Sequence, residues 1–228
     1  MARYETLLFD FDHTLFDSDA SEAGAFAITM QRCGVADPAS LFAPYKAINH
    51  QMWTAVEAGK ITPNDVRHQR FERLVDEHEI DADPHAMADD FAAGLGACGD
   101  MYDGAIDLLT QLGATHRLAM VTNAISAVQR TRIERVGVAH HFEIIVISTE
   151  VDAAKPSPSI FDVTFDRLGH PPKATTLMIG DSLTSDIAGG TGYGLPTCWF
   201  NQHGKVAGSK DQITHEISAL DQLFDLVA

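Results

Sequence analysis

Leu7-Leu8-Phe9-Asp10-Phe11-Asp12-His13-Thr14-Leu15-Phe16 carries a short apolar run straight into a turn that holds two carboxylates and a hydroxyl. An unbroken apolar run of this length suits a strand buried on both faces of a parallel sheet, and ligands of such sheets bind beyond the carboxyl ends of the strands. Asp10 and Asp12 are two residues apart, so strand alternation would point both the same way. Like charges held that close raise one another's pKa unless a cation or a shared proton relieves them. Two readings follow for D-x-D alone: a nucleophile and a general acid beside a divalent metal, or a polar loop. A calcium loop counted from Asp10 fails on spacing, because the sixth position is Leu15 where the sharp turn needs Gly and the twelfth is Ser21 where Glu is needed.

Four later stretches read as strands: Leu118-Ala119-Met120-Val121, Phe142-Glu143-Ile144-Ile145-Val146-Ile147, Thr176-Leu177-Met178-Ile179 and Thr197-Cys198-Trp199-Phe200. Between them lie amphipathic stretches at Ala105 to Leu112, Ser126 to Val136, Pro158 to Leu168, and Ser185 to Gly189 with its continuation. Alternation of this kind predicts an α/β fold, a doubly wound parallel sheet with its active site at one edge. Ile217, Leu220, Leu223 and Leu226 have helical spacing and predict a last helix packed on the sheet.

Residues 18 to 98 break the alternation. Asp37-Pro38, Thr62-Pro63 and Asp83-Pro84 each pair a capping side chain with a proline that suits the first helical position. Asp65, three residues after Thr62, adds a relative of the capping box. With the helix before Asp37 these starts predict about four helices inserted after the first strand, placed to make a lid.

The composition is that of a globular protein, with 21% charged and 45% apolar residues in 228. Met1-Ala2-Arg3-Tyr4-Glu5 lacks an apolar signal core, and no run approaches the roughly 18 apolar residues of a membrane span, so an intracellular, cytoplasmic protein is expected. Cys33, Cys98 and Cys198 are widely spaced, which suggests neither a disulfide framework nor a zinc site. A formal charge of −16 argues against nucleic acid and anionic membranes as partners. It leaves room for a small anionic substrate, since a metal ion and local cations can reverse the field inside a cleft.

Three more polar groups stand at strand ends: Thr122-Asn123 after the second strand, Lys155-Pro156-Ser157-Pro158 after the third, and Gly180-Asp181-Ser182-Leu183-Thr184-Ser185-Asp186 after the fourth. Taken singly, Thr122-Asn123 is also a common turn and Lys155 a common surface residue. In one parallel sheet all of these groups share an edge. Acidic turns from two strands then need a metal between them, with a hydroxyl donor and a cation alongside, which is the set that phosphoryl transfer requires.

In this order the groups resemble the four motifs of the haloacid dehalogenase-like hydrolases, and the likeness spans essentially the whole chain. The resemblance implies a Rossmann-like core from residues 1–17 and 99–228, with a helical cap domain at 18–98. It implies that Asp10 attacks phosphorus, that Asp12 protonates the leaving oxygen and then activates water, and that Thr122 and Lys155 hold phosphoryl oxygens beside Asn123. Mg²⁺ would be held by Asp10, Asp181 and the backbone carbonyl of Asp12, with Asp186 supporting it through water or Lys155. His13 stands where many members have Gly, and its side chain is expected to point out of the site. Dehalogenating members lack an acid at the position of Asp12, since a halide leaves without a proton, so Asp12 implies phosphate esters. A sugar-phosphate mutase would also keep it.

Finer likeness lies at Ala47 to Trp53, Gly59 to Thr62, Arg67 to Glu72 and Thr197 to Asn201, which are similar to bacterial nucleotidases that dephosphorylate noncanonical pyrimidine nucleoside monophosphates. On that likeness the partner is a small phosphorylated metabolite and the enzyme a monomer or homodimer. Trp53 or Phe71 would stack on a base, and His68 or Arg70 would reach a sugar or phosphate. Phe71, Leu74, Val75 and His78 also have helical spacing, which places Phe71 in the cap's own core, and Arg67 and Arg70 equally suit surface ion pairs. The alternatives are a phosphatase of small organic phosphates, of phosphoglycolate or sugar-phosphate type, and a phosphate-binding relative without turnover.

Overall fold

The structure, a computed structural model, describes residues 3–208 and 212–228; Met1 and Ala2, part of the stretch read for a signal core, lie outside them. Among the described residues, strands β1 (Thr6–Phe9), β2 (Arg117–Thr122), β3 (Ile144–Ile147), β4 (Thr176–Gly180), β5 (Thr197–Phe200) and β6 (His215–Ile217) form one sheet in the order β3-β2-β1-β4-β5-β6. Every pairing is parallel. β1 is central and all four of its residues are buried, three of them the apolar Leu7, Leu8 and Phe9. Leu8, Ala119, Val121, Val146 and Met178 alternate onto one face and pack against Ile160, Phe161, Phe165 and Leu168 of helix α7 (Pro158–Leu168). On α5 (Ala105–Gly113), Leu108, Leu109 and Leu112 are buried, and that helix packs on β2.

One strand was not foreseen. Ile217 belongs to β6 rather than to a terminal helix, and only Leu223–Val227 is α-helical there, after a single turn at Leu220–Gln222. Three residues are too short for a period-2 pattern to show, and the pairing with β5 supplies the strand's hydrogen bonds.

The chain divides into two compact units: Met1–Asp17, Met101–Asn123 and Gly137–Ala228 form the first, Ser18–Asp100 and Ala124–Val136 the second. In the second unit, helices α1 (Ser18–Arg32), α2 (Pro38–Glu57), α3 (Pro63–His78) and α4 (Pro84–Ala97) occupy the expected stretch, and Asp37, Thr62 and Asp83 cap their helices through their side chains. Thr62 and Asp65 form the full reciprocal box. Phe71 is fully buried against Tyr45 and Phe91.

Helix α6 (Ser126–Val136), which the alternating pattern places with the sheet, groups instead with the second unit. Its arginines explain why. Arg132 Nε donates to the Leu95 carbonyl at 2.9 Å and Arg135 Nε to that of Gly96 at 3.0 Å, while Arg135 Nη2 reaches the carbonyls of Cys98 and Gly99. The last carbonyls of a helix lack partners within it, and α4 has no basic residue in its own last turn. Among the described residues no helix is long and apolar enough to cross a membrane.

Candidate active site

β1 delivers Asp10, and its register with β2 and β4 sets Phe9 beside Met120 and Ile179, so the ends of these three strands emerge together. The backbone of Asp10 remains tied to β4, its N–H donating to the Ile179 carbonyl at 2.9 Å. After Asp12 the chain reverses at His13, which has φ of 58°. That left-handed conformation suits glycine best, and His13 adopts it with a side chain. Thr14 then comes back under the site: its hydroxyl donates to Asp10 Oδ2 at 3.4 Å and accepts from the Asp181 N–H at 3.1 Å. Thr14 lies in the opening motif, yet its part in joining two acidic turns shows only in the fold.

Asp10, Asp181 and Asp186 come together, one oxygen of each lying within 4.8 Å of the others. Gly180 makes this possible, because a Cβ there would overlap the Asp186 carboxylate. The Asp12 side chain is not one of the three.

Lys155 sits in the middle of the set and is 1% exposed. Its ammonium donates to Asp10 Oδ1 at 2.6 Å, to Asp186 Oδ1 at 2.6 Å and to the Val121 carbonyl at 2.7 Å. An ammonium has three protons, so all of them are engaged. Asn123 holds the backbone of this lysine at two points: Nδ2 donates to its carbonyl at 2.8 Å and Oδ1 accepts its N–H at 2.8 Å. Asn123, expected to meet substrate, is thereby a residue that positions Lys155. Thr122 is fully buried as the last residue of β2, opposite Ile147 of β3. On the other side the indole N–H of Trp199 donates to the Asp181 carbonyl at 2.9 Å, and the Ser182 N–H donates to Asp186 Oδ2 at 3.0 Å. Nothing local in the sequence signals the Trp199 contact, which arises because Trp199 of β5 pairs with Gly180 of β4.

The electrostatics are those of crowded, buried acids. Burial pushes Asp10 up to about 7, with Lys155 pulling down and Asp186 pushing up further. Asp181 is raised to about 6, first by burial and then by the Asp10 charge, while His13, Lys205 and Lys155 oppose the rise. Asp186 is also raised, chiefly by burial. Burial alone would lower the pKa of Lys155, but the Asp10 and Asp186 charges outweigh it and the ammonium is held well above the usual lysine range.

The donor set fits a hard divalent cation. It consists of carboxylate oxygens without sulfur or imidazole, as magnesium prefers. Both Asp186 oxygens are already engaged, by Lys155 and by Ser182, whereas Asp181 receives no hydrogen bond at its carboxylate among the described residues. Asp181 is thus the carboxylate most open to a metal; Asp10 Oδ2 accepts only the long 3.4 Å bond from Thr14, and Asp186 braces Lys155 beside them.

The residues expected to choose the substrate lie in the second unit. Trp53 is half-buried on α2. His68 pairs with His85, their Nδ1 atoms 3.2 Å apart. Arg70 is 3% exposed, lies over the Phe91 ring at 4.5 Å and donates to Asn49 Oδ1 at 3.1 Å. The surface ion pair weighed for Arg70 is thus absent, because its aliphatic stem and flat guanidinium suit an aromatic core. Arg67 does pair with Asp89, at 2.6 Å.

The profile of the haloacid dehalogenase-like hydrolases matches residues 7–200. Pyrimidine 5'-nucleotidase YjjG of Escherichia coli (strain K12) is 32% identical over 225 residues, which cover 99% of this chain and 98% of that protein. Pyrimidine 5'-nucleotidase PynA of Streptococcus pneumoniae is 34% identical over 223 residues, covering 97% of this chain and 94% of that one. A crystal structure of YfnB from Bacillus subtilis bound to magnesium superposes with a TM-score of 0.92 at 35% identity, over 99% of both chains. With acidic strand ends gathered around one lysine, and with that profile running from β1 through β5, this chain belongs to the haloacid dehalogenase-like hydrolase family.

Proposed function

We propose that the protein is a Mg²⁺-dependent phosphomonoesterase that works through an aspartyl-phosphate and acts as a 5'-nucleotidase on pyrimidine nucleoside monophosphates. The observation that carries the chemistry is the meeting of Asp10, Asp181 and Asp186 around Lys155, with Asp12 two residues beyond the nucleophile. The substrate class is supported by full-length similarity to two pyrimidine 5'-nucleotidases.

Asp10 and Asp181, with the Asp12 carbonyl, would hold the magnesium ion, which would neutralise charge so that an ionised carboxylate can meet a phosphate dianion. Burial raises the Asp10 pKa, so opposite charge beside it favours the ionised carboxylate near neutrality. In the first half-reaction an Asp10 oxygen bonds to phosphorus and the ester oxygen leaves with a proton from Asp12. In the second, the Asp12 carboxylate takes a proton from water as that water attacks the aspartyl-phosphate, which frees Asp10 and inorganic phosphate. Lys155 balances the charge of Asp10 and Asp186, and contact with a phosphoryl oxygen requires it to exchange one existing bond. Thr122 lies at the end of β2 to supply a hydroxyl donor.

A panel of pyrimidine and purine monophosphates, phosphoglycolate and sugar phosphates at equal concentration, with Mg²⁺ or with EDTA, tests this. Hydrolysis should be greatest for pyrimidine monophosphates and should vanish in EDTA. Equal rates across the panel would remove the nucleotidase assignment, and undiminished rates in EDTA would remove the metal. Asp10→Asn should abolish turnover while circular dichroism stays native, whereas retained turnover would show that the nucleophile lies elsewhere.

A further inference from the structure

Two asparagines in this fold do the same job. Asn123 directly follows β2 and grips the backbone of Lys155 through both its amide atoms. Asn201 directly follows β5 and grips the backbone of Lys205 in the same way, Nδ2 donating to the Lys205 carbonyl at 2.9 Å and Oδ1 accepting the Lys205 N–H at 2.8 Å. Asn201 is itself anchored: it is 5% exposed, its N–H donates to the Ile217 carbonyl at 2.7 Å and its Nδ2 to Glu216 Oε1 at 2.6 Å. A peptide held at both polar atoms fixes the point from which its side chain leaves the strand edge. Lys155 is presented in this way, and it reaches Asp10.

The two lysines differ in what their charge is free to do. All three protons of Lys155 are engaged inside the protein. Lys205 is exposed, and its ammonium has no ion-pair or hydrogen-bond partner among the described residues. The Trp199 indole ties β5 to the Asp181 turn, and Asn201, which holds Lys205, lies two residues beyond Trp199. Lys205 thus follows the carboxyl end of β5 as a positive charge without a partner among the described residues. In a chain with a formal charge of −16, whose site gathers three carboxylates, an incoming phosphate needs such a charge.

The geometry points to Lys205 as a second anion-binding lysine of the site, held in place by Asn201, which draws in and binds the phosphate dianion of the substrate. It rests on the phosphatase reading above. A rim cation of this kind acts on association and its salt dependence more than on the bond-making step.

The test is binding of inorganic phosphate to the whole protein in saturating Mg²⁺ by isothermal titration calorimetry, at several ionic strengths, with kcat and KM for the best substrate measured in parallel. Lys205→Ala should weaken phosphate binding and raise KM about fivefold, flatten the salt dependence and leave kcat within about twofold. Lys205→Arg should restore binding. Arg167→Ala removes the same charge from the last turn of α7 and should behave as wild type. If wild type binds phosphate and Lys205→Ala binds it equally with the same salt slope, the role of Lys205 is refuted and the phosphatase reading stands. If wild type binds no phosphate and hydrolyses no ester on the panel, both readings fall.

Discussion

Gly180 is the residue on which the site's geometry turns, because the Asp186 carboxylate occupies the space that any side chain there would need. Asp186 cannot retreat easily, being fully buried and bonded to Lys155 and to the Ser182 N–H. Gly180→Ala should therefore displace Asp186 and, through it, Lys155. Phosphatase activity should fall by about a hundredfold or more, with a stability loss of about 1–3 kcal/mol from overpacking. Steady-state kinetics and urea unfolding would check it, and a variant of native activity would show that Asp186 does not brace the lysine. The carboxylates themselves were legible in the sequence, since Asp10 and Asp181 stand at the ends of apolar runs and Asp12 and Asp186 in the turns that follow them. What each one bonds was not legible. Asn123 illustrates the difference: it was visible as an amide at a strand end, but its task of holding Lys155 depends on a residue 32 positions away.

Among the elements, α6 departs furthest from its sequence pattern. Its buried residues include Gln129 and Arg132 besides Val128 and Ile133, so no clean apolar stripe shows which neighbour it serves. Arg132 settles that by donating to the Leu95 carbonyl at the end of α4 and to the Ser21 hydroxyl of α1 at 2.7 Å. Arg132→Ala should destabilise the protein by about 2–4 kcal/mol, because buried acceptors lose a charged donor and a long stem leaves a void. Arg132→Lys should recover only part of this, since an ammonium cannot reproduce the guanidinium fork. Chemical denaturation of both variants is the measurement, and a loss under about 0.5 kcal/mol for Arg132→Ala would contradict the role. Where local chemistry does suffice, the elements were legible: the capped starts at Asp37, Thr62 and Asp83 stand where the sequence places them, because a cap and its amide lie within three residues of each other.

For the molecule as a whole, the buried acids link stability to pH and to metal. Asp10 at about 7 and Asp181 at about 6 bind protons more tightly folded than unfolded. Without metal, these two groups favour the fold most in acid, and that contribution is lost as pH rises from about 4 to 7. A divalent cation competes with those protons, so Mg²⁺ should stabilise more at pH 7.5 than at pH 5. At about a hundredfold excess over its Kd, Mg²⁺ should raise Tm at pH 7.5 by about 5–10 °C. Asp181→Asn should lose most of this rise. Differential scanning calorimetry with and without Mg²⁺ at both pH values would show it, and an equal shift at both would argue against Asp10 and Asp181 as the metal's ligands. The apolar runs, their terminal acids and the helix starts determine, by themselves, an α/β sheet with chemistry along its carboxyl edge, because strand alternation and capping act between near neighbours. Only the tertiary structure decides that Lys155 joins Asp10 to Asp186, that Trp199 holds the Asp181 turn, that α6 serves α4 and that Ile217 is a strand. Those contacts join residues many positions apart, through strand pairing and buried hydrogen bonds that no local pattern encodes.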